Sequence, residues 1–555
     1  MKASTLITKL STKQSPLRTG RVSKFLTILF IGFAIPALNR AGVTLITHGF
    51  NADAHDWVAG MGAAIESHPG LILTNTTVYE IYFEETAGSY TPKSRKLRGS
   101  NPLEADSGEI ILLLDWSQLA GTLSGVTYNT YDVAPAVAST LTSTNFIPDL
   151  GSRPLAEQPL HLIGHSRGGS LMYEVARILG SQGLWVDHVT TLDPHPLNND
   201  YDDSLLTDVV DAPARPYSNV LFADNYYQVN SSFLGLDPSG QFVVGAYNRL
   251  LTGLNLGGYG GIAARHSNVH LWYHGTIDWR TPVSDGLGGA IITGLERDSW
   301  WTDSETNGIT AGFHYSRLAG ASRTSSETPA GGTNRVSDGL NQVWDFGAGL
   351  GANRFVLEEN LGLWPNVLAL NLTTTNFSQL PNGRKWLAVE SGSALPIRLT
   401  YQAANVESTN LVVRVFLDPD FNPYSGNETW LESIPMTGTG NNVVNTTFIA
   451  PLIQATTGLY ALGAEISDGV RRRFLHLPEL LQIEQGPLNL SIEHGSGSSI
   501  HLTLTGGAEA RVVIERSSDV ITWSPLLTNS PSGLVWSFSL PLTAEPASFY
   551  RAKRL

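Results

Sequence analysis

Ser166 stands at the centre of Gly164-His165-Ser166-Arg167-Gly168, where the apolar run at 159–163 meets a segment with helical spacing. Leu171, Val175, Ile178 and Leu179 carry that spacing, and Gly180 and Gly183 close it. G-x-S-x-G in this setting predicts a strand turning sharply into a helix, with the serine hydroxyl exposed at the apex and glycines making room for the bend. The chemistry this permits is nucleophilic attack on a carbonyl. A serine hydroxyl is a poor nucleophile near neutral pH, so it needs a base, an acid to orient the base, and donors waiting for the oxyanion.

Candidates exist for each part. The run Val43–Thr47 ends in His48-Gly49-Phe50, whose flexible turn can aim the Phe50 amide at the site. The Arg167 amide, directly after the nucleophile, would be the second oxyanion donor. His48 itself is expected to be a packed strand-end residue. Two carboxylates close strand-like runs beyond the serine, Asp193 in TLDPH and Asp224 in LFADN, and spacing does not choose between them. His266, His270 and His274 recur at i, i+4 and i+8. One helical face could present all three to a metal, but H-E-x-x-H is absent and the nearby carboxylate is only Asp278, so no metal is expected there. Ser267 as an N-cap would leave His266 in the loop before the helix, where a base belongs, with His270 as the alternative.

The elements that must position these groups are short β-branched runs at 43–50, 78–85, 109–116, 159–165, 186–195 and 219–225, separated by crossover lengths. They predict an α/β class domain with a mostly parallel sheet, whose strand ends would carry the candidates. Residues 226–264, with SSFLGLDPSG and NLGGYGG, could form a lid over an apolar pocket. A Trp- and Gly-rich segment at 281–360 is expected to wrap the core at 42–280. Alternating polar and apolar runs then predict a β-sandwich at 366–485 and a small β domain at 486–555. These look like accessory modules for attachment to a cell surface or polymer.

Bulk properties narrow the classes. A chain of 555 residues suggests about three or four domains. The net charge of −14 without an internal basic cluster argues against nucleic acid as a partner. With no cysteine, disulfides, thiolate zinc sites and cysteine-based partners are ruled out. Residues 1–24 hold six basic residues and no acid, followed by the apolar stretch 25–38, so that 1–41 has the pattern of a signal peptide for a secreted or cell-surface protein. An uncleaved anchor is the alternative. Acidic groups in NNDYDD (198–203) and at Asp418, Asp420 and Asn422 have the alternation of calcium ligands, although solvated turns explain them as well.

Taken together, HGF at 48–50, LLLDWS at 112–117, LIGHSRGG at 162–169, TLDP at 191–194 and HSNVHLWY at 266–273 resemble lipases of the α/β-hydrolase fold, closest to the pancreatic-lipase type. The likeness spans roughly residues 42–280. It implies the order serine, acid, histidine, an acid in the LDP turn (Asp193 rather than Asp224), and His266 as base. Arg167 replaces the leucine usual in such lipases, which predicts a more polar mouth to the site. The expectation is therefore a secreted serine hydrolase that cleaves lipid or other acyl esters without a cofactor. An amidase, peptidase or acyltransferase with the same triad, and a non-catalytic binding protein on the same scaffold, are the alternatives.

Overall fold

The computed structural model describes residues 42–68, 76–104, 108–199, 207–229, 238–254, 256–261, 263–286, 290–301, 312–319, 354–374, 377–379, 385–404, 410–452, 455–486, 488–494, 499–506, 511–531, 535–541 and 548–555. The expected signal peptide and residues 200–203 of the NNDYDD group lie outside the described residues.

An eight-stranded sheet occupies the first half of the chain. Its strands are β1 (Val43–Thr47), β2 (Thr77–Thr86), β3 (Ser89–Arg98), β4 (Ile110–Asp115), β5 (Leu160–His165), β6 (Val186–Leu192), β7 (Val220–Tyr227) and β8 (Tyr247–Leu250), in the spatial order β3-β2-β4-β1-β5-β6-β7-β8. Every adjacent pair is parallel except β2 with β3. The six expected runs all become parallel strands.

Continuous apolar runs form these strands because both faces of the sheet are covered. In β4, Ile110, Leu112 and Leu114 join one core with residues of helices α3 (Thr130–Thr142) and α4 (Arg167–Ser181). Ile111 and Leu113 point the other way, into a core shared with α1 (Trp57–Glu66) and α5 (Ala264–Ile277). Each such leucine or isoleucine, fully buried, contributes about 1.5–3 kcal/mol relative to exposure. The short helix α2 (Ser117–Ala120) follows β4. Trp301, from the segment expected to wrap the core, stacks on Trp272 of α5 at 5.7 Å, and Arg249 lies over the Trp272 ring at 5.0 Å. These contacts fix α5 against the sheet.

Mostly antiparallel sheets make up the second half. One of three strands and one of six share a core, with Leu395, Ile397 and Leu399 facing Val413, Val415 and Leu462. Two three-stranded sheets within 489–554 pack Leu504, Val512 and Ile514 between them. The alternating residues Asp418, Asp420 and Asn422 lie at the end of the strand Val412–Asp418 and in the loop after it. Each accepts a backbone N–H two residues on, Asp418 also pairs with His476 at 2.8 Å, and Asn422 donates to the Glu104 carbonyl at 2.7 Å. They form a staircase of Asx turns, part of which holds the sandwich-like region to the first sheet. Among the described residues, no helix is long and apolar enough to cross a membrane.

Candidate active site

β5 delivers the chain to Ser166, which adopts φ 57° and ψ −129°, a conformation costing an L-residue on the order of 1–3 kcal/mol. The turn is held from below by its two glycines. A Cβ on Gly164 would lie 2.2 Å from the Gly168 carbonyl oxygen, and one on Gly168 would lie 2.4 Å from that of His48. The same packing brings the end of β1 against the nucleophile, since a Cβ on Gly49 would fall 2.5 Å from that of Ser166. The backbone of Ser166 is tied to the neighbouring strand end, its N–H donating to Leu192 at 3.0 Å while its carbonyl accepts from His195 at 3.3 Å.

Asp193 follows β6 directly, and His266 lies in the first turn of α5. The His266 Nδ1 sits 2.6 Å from Asp193 Oδ2. Gln228 donates to the same carboxylate twice, from its backbone N–H at 2.7 Å and its side-chain amide at 3.0 Å. Gln228 escaped sequence reading. The apolar run at 219–225 closes at Asn225, whereas β7 continues to Tyr227, so Gln228 stands at the true strand end. On the far side of the imidazole, His266 Nε2 is buried and has no hydrogen-bond partner among the described residues. His165, the residue before the serine, accompanies it, with ring centroids 4.4 Å apart and its Nε2 3.1 Å from the His266 carbonyl.

Burial governs the electrostatics. It holds the His266 imidazole well below its usual value, with His195 and His270 nearby acting in the same direction. Burial also pushes the Asp193 carboxyl upward, against the pull of the Gln228 and Gly240 donors. Because these contacts supply N–H donors, and His266 Nδ1–H can supply another, the pocket suits the ionised carboxylate. With Nδ1–H donated to Asp193, the Nε2 lone pair is left open, as a general base requires.

Other candidates have different partners. Asp224 lies three residues before the end of β7, inside the sheet, where it accepts from His188, Thr190 and Tyr226 at 2.8, 2.6 and 2.9 Å. It does not pair with His266. His270 is 2.9 Å from Asp285, which also accepts from the Tyr259 hydroxyl, and its ring stacks on Trp57 at 4.3 Å. His274 has both ring nitrogens buried without a hydrogen bond among the described residues. The three histidines thus differ in their hydrogen-bond partners, although His266 and His270 both pack against the His165 ring. Ser267 is no N-cap, because α5 begins at Ala264 after a left-handed Ala263, and Ser267 N–H already bonds the Ala263 carbonyl. His48 is packed as expected, stacked 6.0 Å from Trp116.

Arg167 corrects a further expectation. Its side chain does not reach the mouth of the site but is fully buried, gripping Asp211 through Nε and Nη2 at 2.7 and 2.6 Å and donating to the Ala120 and Tyr128 carbonyls. Its amide is left at the head of α4, beside the nucleophile. The described part of the expected lid is likewise built in, supplying β8 and the Gly240 amide that bonds Asp193.

Buried neutral histidines make stability pH-dependent. Burial lowers His68 and His274, the latter on α5, to about 4. Between pH 6.5 and 4 the unfolded chain therefore binds more protons than the native one, so their stabilisation is complete above 6.5 and is lost as pH falls. The loss is on the order of 3 kcal/mol for each group at most. Thermal melts across this window should show Tm falling steadily with acidity. His68→Gln and His274→Gln should flatten the slope.

Set beside known proteins, the chain matches no protein-family model, and a search of curated proteins finds no relative. Its function has to be read from the site.

Proposed function

We propose that the chain is a serine hydrolase of the α/β-hydrolase type that cleaves carboxylic esters, in the manner of lipases and esterases. One observation carries the reading: a buried Asp193–His266 pair with an unbonded Nε2, at the strand end to which the strained Ser166 turn is tied through the Leu192 and His195 backbone. Ser166 Oγ attacks the acyl carbon while His266 Nε2 takes its proton, and the Phe50 and Arg167 amides receive the negative charge on the carbonyl oxygen. Asp193 supports the imidazolium. Collapse of the tetrahedral intermediate breaks the C–O bond, and His266 returns the proton to the departing alcohol. Water, deprotonated by the same imidazole, then attacks the acyl-enzyme and releases the acid, restoring the serine. Export through residues 1–41 and attachment through the C-terminal β regions belong to the same reading.

The test is a substrate series of p-nitrophenyl esters from acetyl to palmitoyl, run beside the matching p-nitroanilides. Ester turnover exceeding anilide turnover by at least about 100-fold is expected, since the alcohol is the better leaving group. Turnover of anilides alone would overturn the ester assignment.

A further inference from the structure

The same end of the sheet carries a second cluster of chemistry-bearing side chains, on the far side of the His48 turn from the triad. His55, in the loop between β1 and α1, Glu80 of β2 and Asp115 at the end of β4 each direct one donor atom to a common point, all within 4.8 Å of one another. Their meeting is set by the fold. Asp115 pairs in register with Tyr82, so it stands two residues along from Glu80's partner Leu113 and on the same face of the sheet, where the loop into α1 passes. They line an open pocket of about 180 Å³ together with Tyr82, Arg95 and Ser117.

We propose that His55, Glu80 and Asp115 bind a divalent transition-metal ion through the His55 Nε2 and one oxygen of each carboxylate. One imidazole nitrogen and two carboxylate oxygens form a donor set suited to zinc or manganese, and the cavity has room for water to complete the shell. His55 Nε2 and Glu80 Oε1 already lie 2.9 Å apart, turned toward each other. The groups behind the donors are arranged as metal sites arrange them. Asp53 Oδ1 accepts the His55 backbone N–H at 2.8 Å and lies 3.7 Å from His55 Nδ1, which keeps a negative charge behind the ring. Arg95, the cross-strand partner of Glu80, holds Oε2 and so leaves Oε1 for the metal. With His55 neutral, Asp53, Glu80, Asp115 and Arg95 sum to two negative charges, which a divalent ion balances.

The bound ion would also brace the turn that presents the Phe50 amide, because Asp115 Oδ1 lies 3.3 Å from His48 Nε2 and accepts the Ser117 N–H at 2.9 Å. The proposal does not depend on the ester reading, since its readout is metal binding.

Calorimetric titration of the untagged, chelator-stripped full chain with ZnCl2 tests it. Wild type should take up one equivalent at this site and gain about 3 °C or more in Tm at saturating zinc. His55→Ala, at an exposed position that leaves the fold intact, and Asp115→Asn should each weaken that equivalent at least tenfold and abolish the Tm gain, and CaCl2 should bind far more weakly. The proposal is overturned if wild type binds no zinc at millimolar concentration, or if both variants bind with wild-type stoichiometry and affinity.

Discussion

Replacing Ser166 with alanine should lower kcat/KM for p-nitrophenyl esters by roughly 10⁴-fold or more, with the circular dichroism spectrum and Tm close to wild type. The size follows from the role. Without the hydroxyl no acyl-enzyme forms, and what remains is the catalysis that an oxyanion site and substrate binding give to attack by water. The fold should tolerate the change because Ser166 is held through its backbone, and its side chain makes no hydrogen bond among the described residues. Alanine still carries a Cβ in the same strained conformation, so the turn keeps its shape. Equal esterase activity in the two proteins would place the chemistry elsewhere.

Asp193→Asn should cost roughly 10³–10⁴ in kcat with little change in KM. An asparagine amide can hold the His266 ring with its –NH2 facing Nδ1, which selects the tautomer with the proton on Nε2. The base is then blocked. Asp224→Asn should do the opposite: kcat within about threefold of wild type, but stability reduced by about 1–3 kcal/mol, because three buried donors meet a weaker, partly mismatched acceptor. Measuring kcat and Tm for both variants separates a residue that acts on the reaction from one that holds the sheet. Reversal of the pattern would move the acid to β7.

What the sequence made legible is what local geometry determines. The Ser166 turn could be read because strand, glycines and helix are contiguous, and the parallel strands because two-sided burial demands unbroken apolar runs. The edge strand β3 went unread for the opposite reason. SYTPKSRKLR contains proline, lysine and arginine, the composition that keeps an open sheet edge from pairing with another chain, and it lacks an apolar pattern. Choosing Asp193 over Asp224 needed the position of a strand end, which a shift of three residues decides. The Arg167 side chain was misplaced because its inward course depends on Asp211, 44 residues away. The pairing of His266 with Asp193 spans 73 residues; resemblance singles out Asp193, and His266 is also favoured by its place at the start of the helix.

An organofluorophosphonate reacts covalently with a serine only when a neighbouring base activates it, so it reports the central claim directly. Intact-mass spectrometry should show a single phosphonyl adduct, mapped by peptide analysis to Ser166, and the adduct should be lost in His266→Ala. An unlabelled wild-type chain, or labelling of Ser166 that persists without His266, would contradict the account.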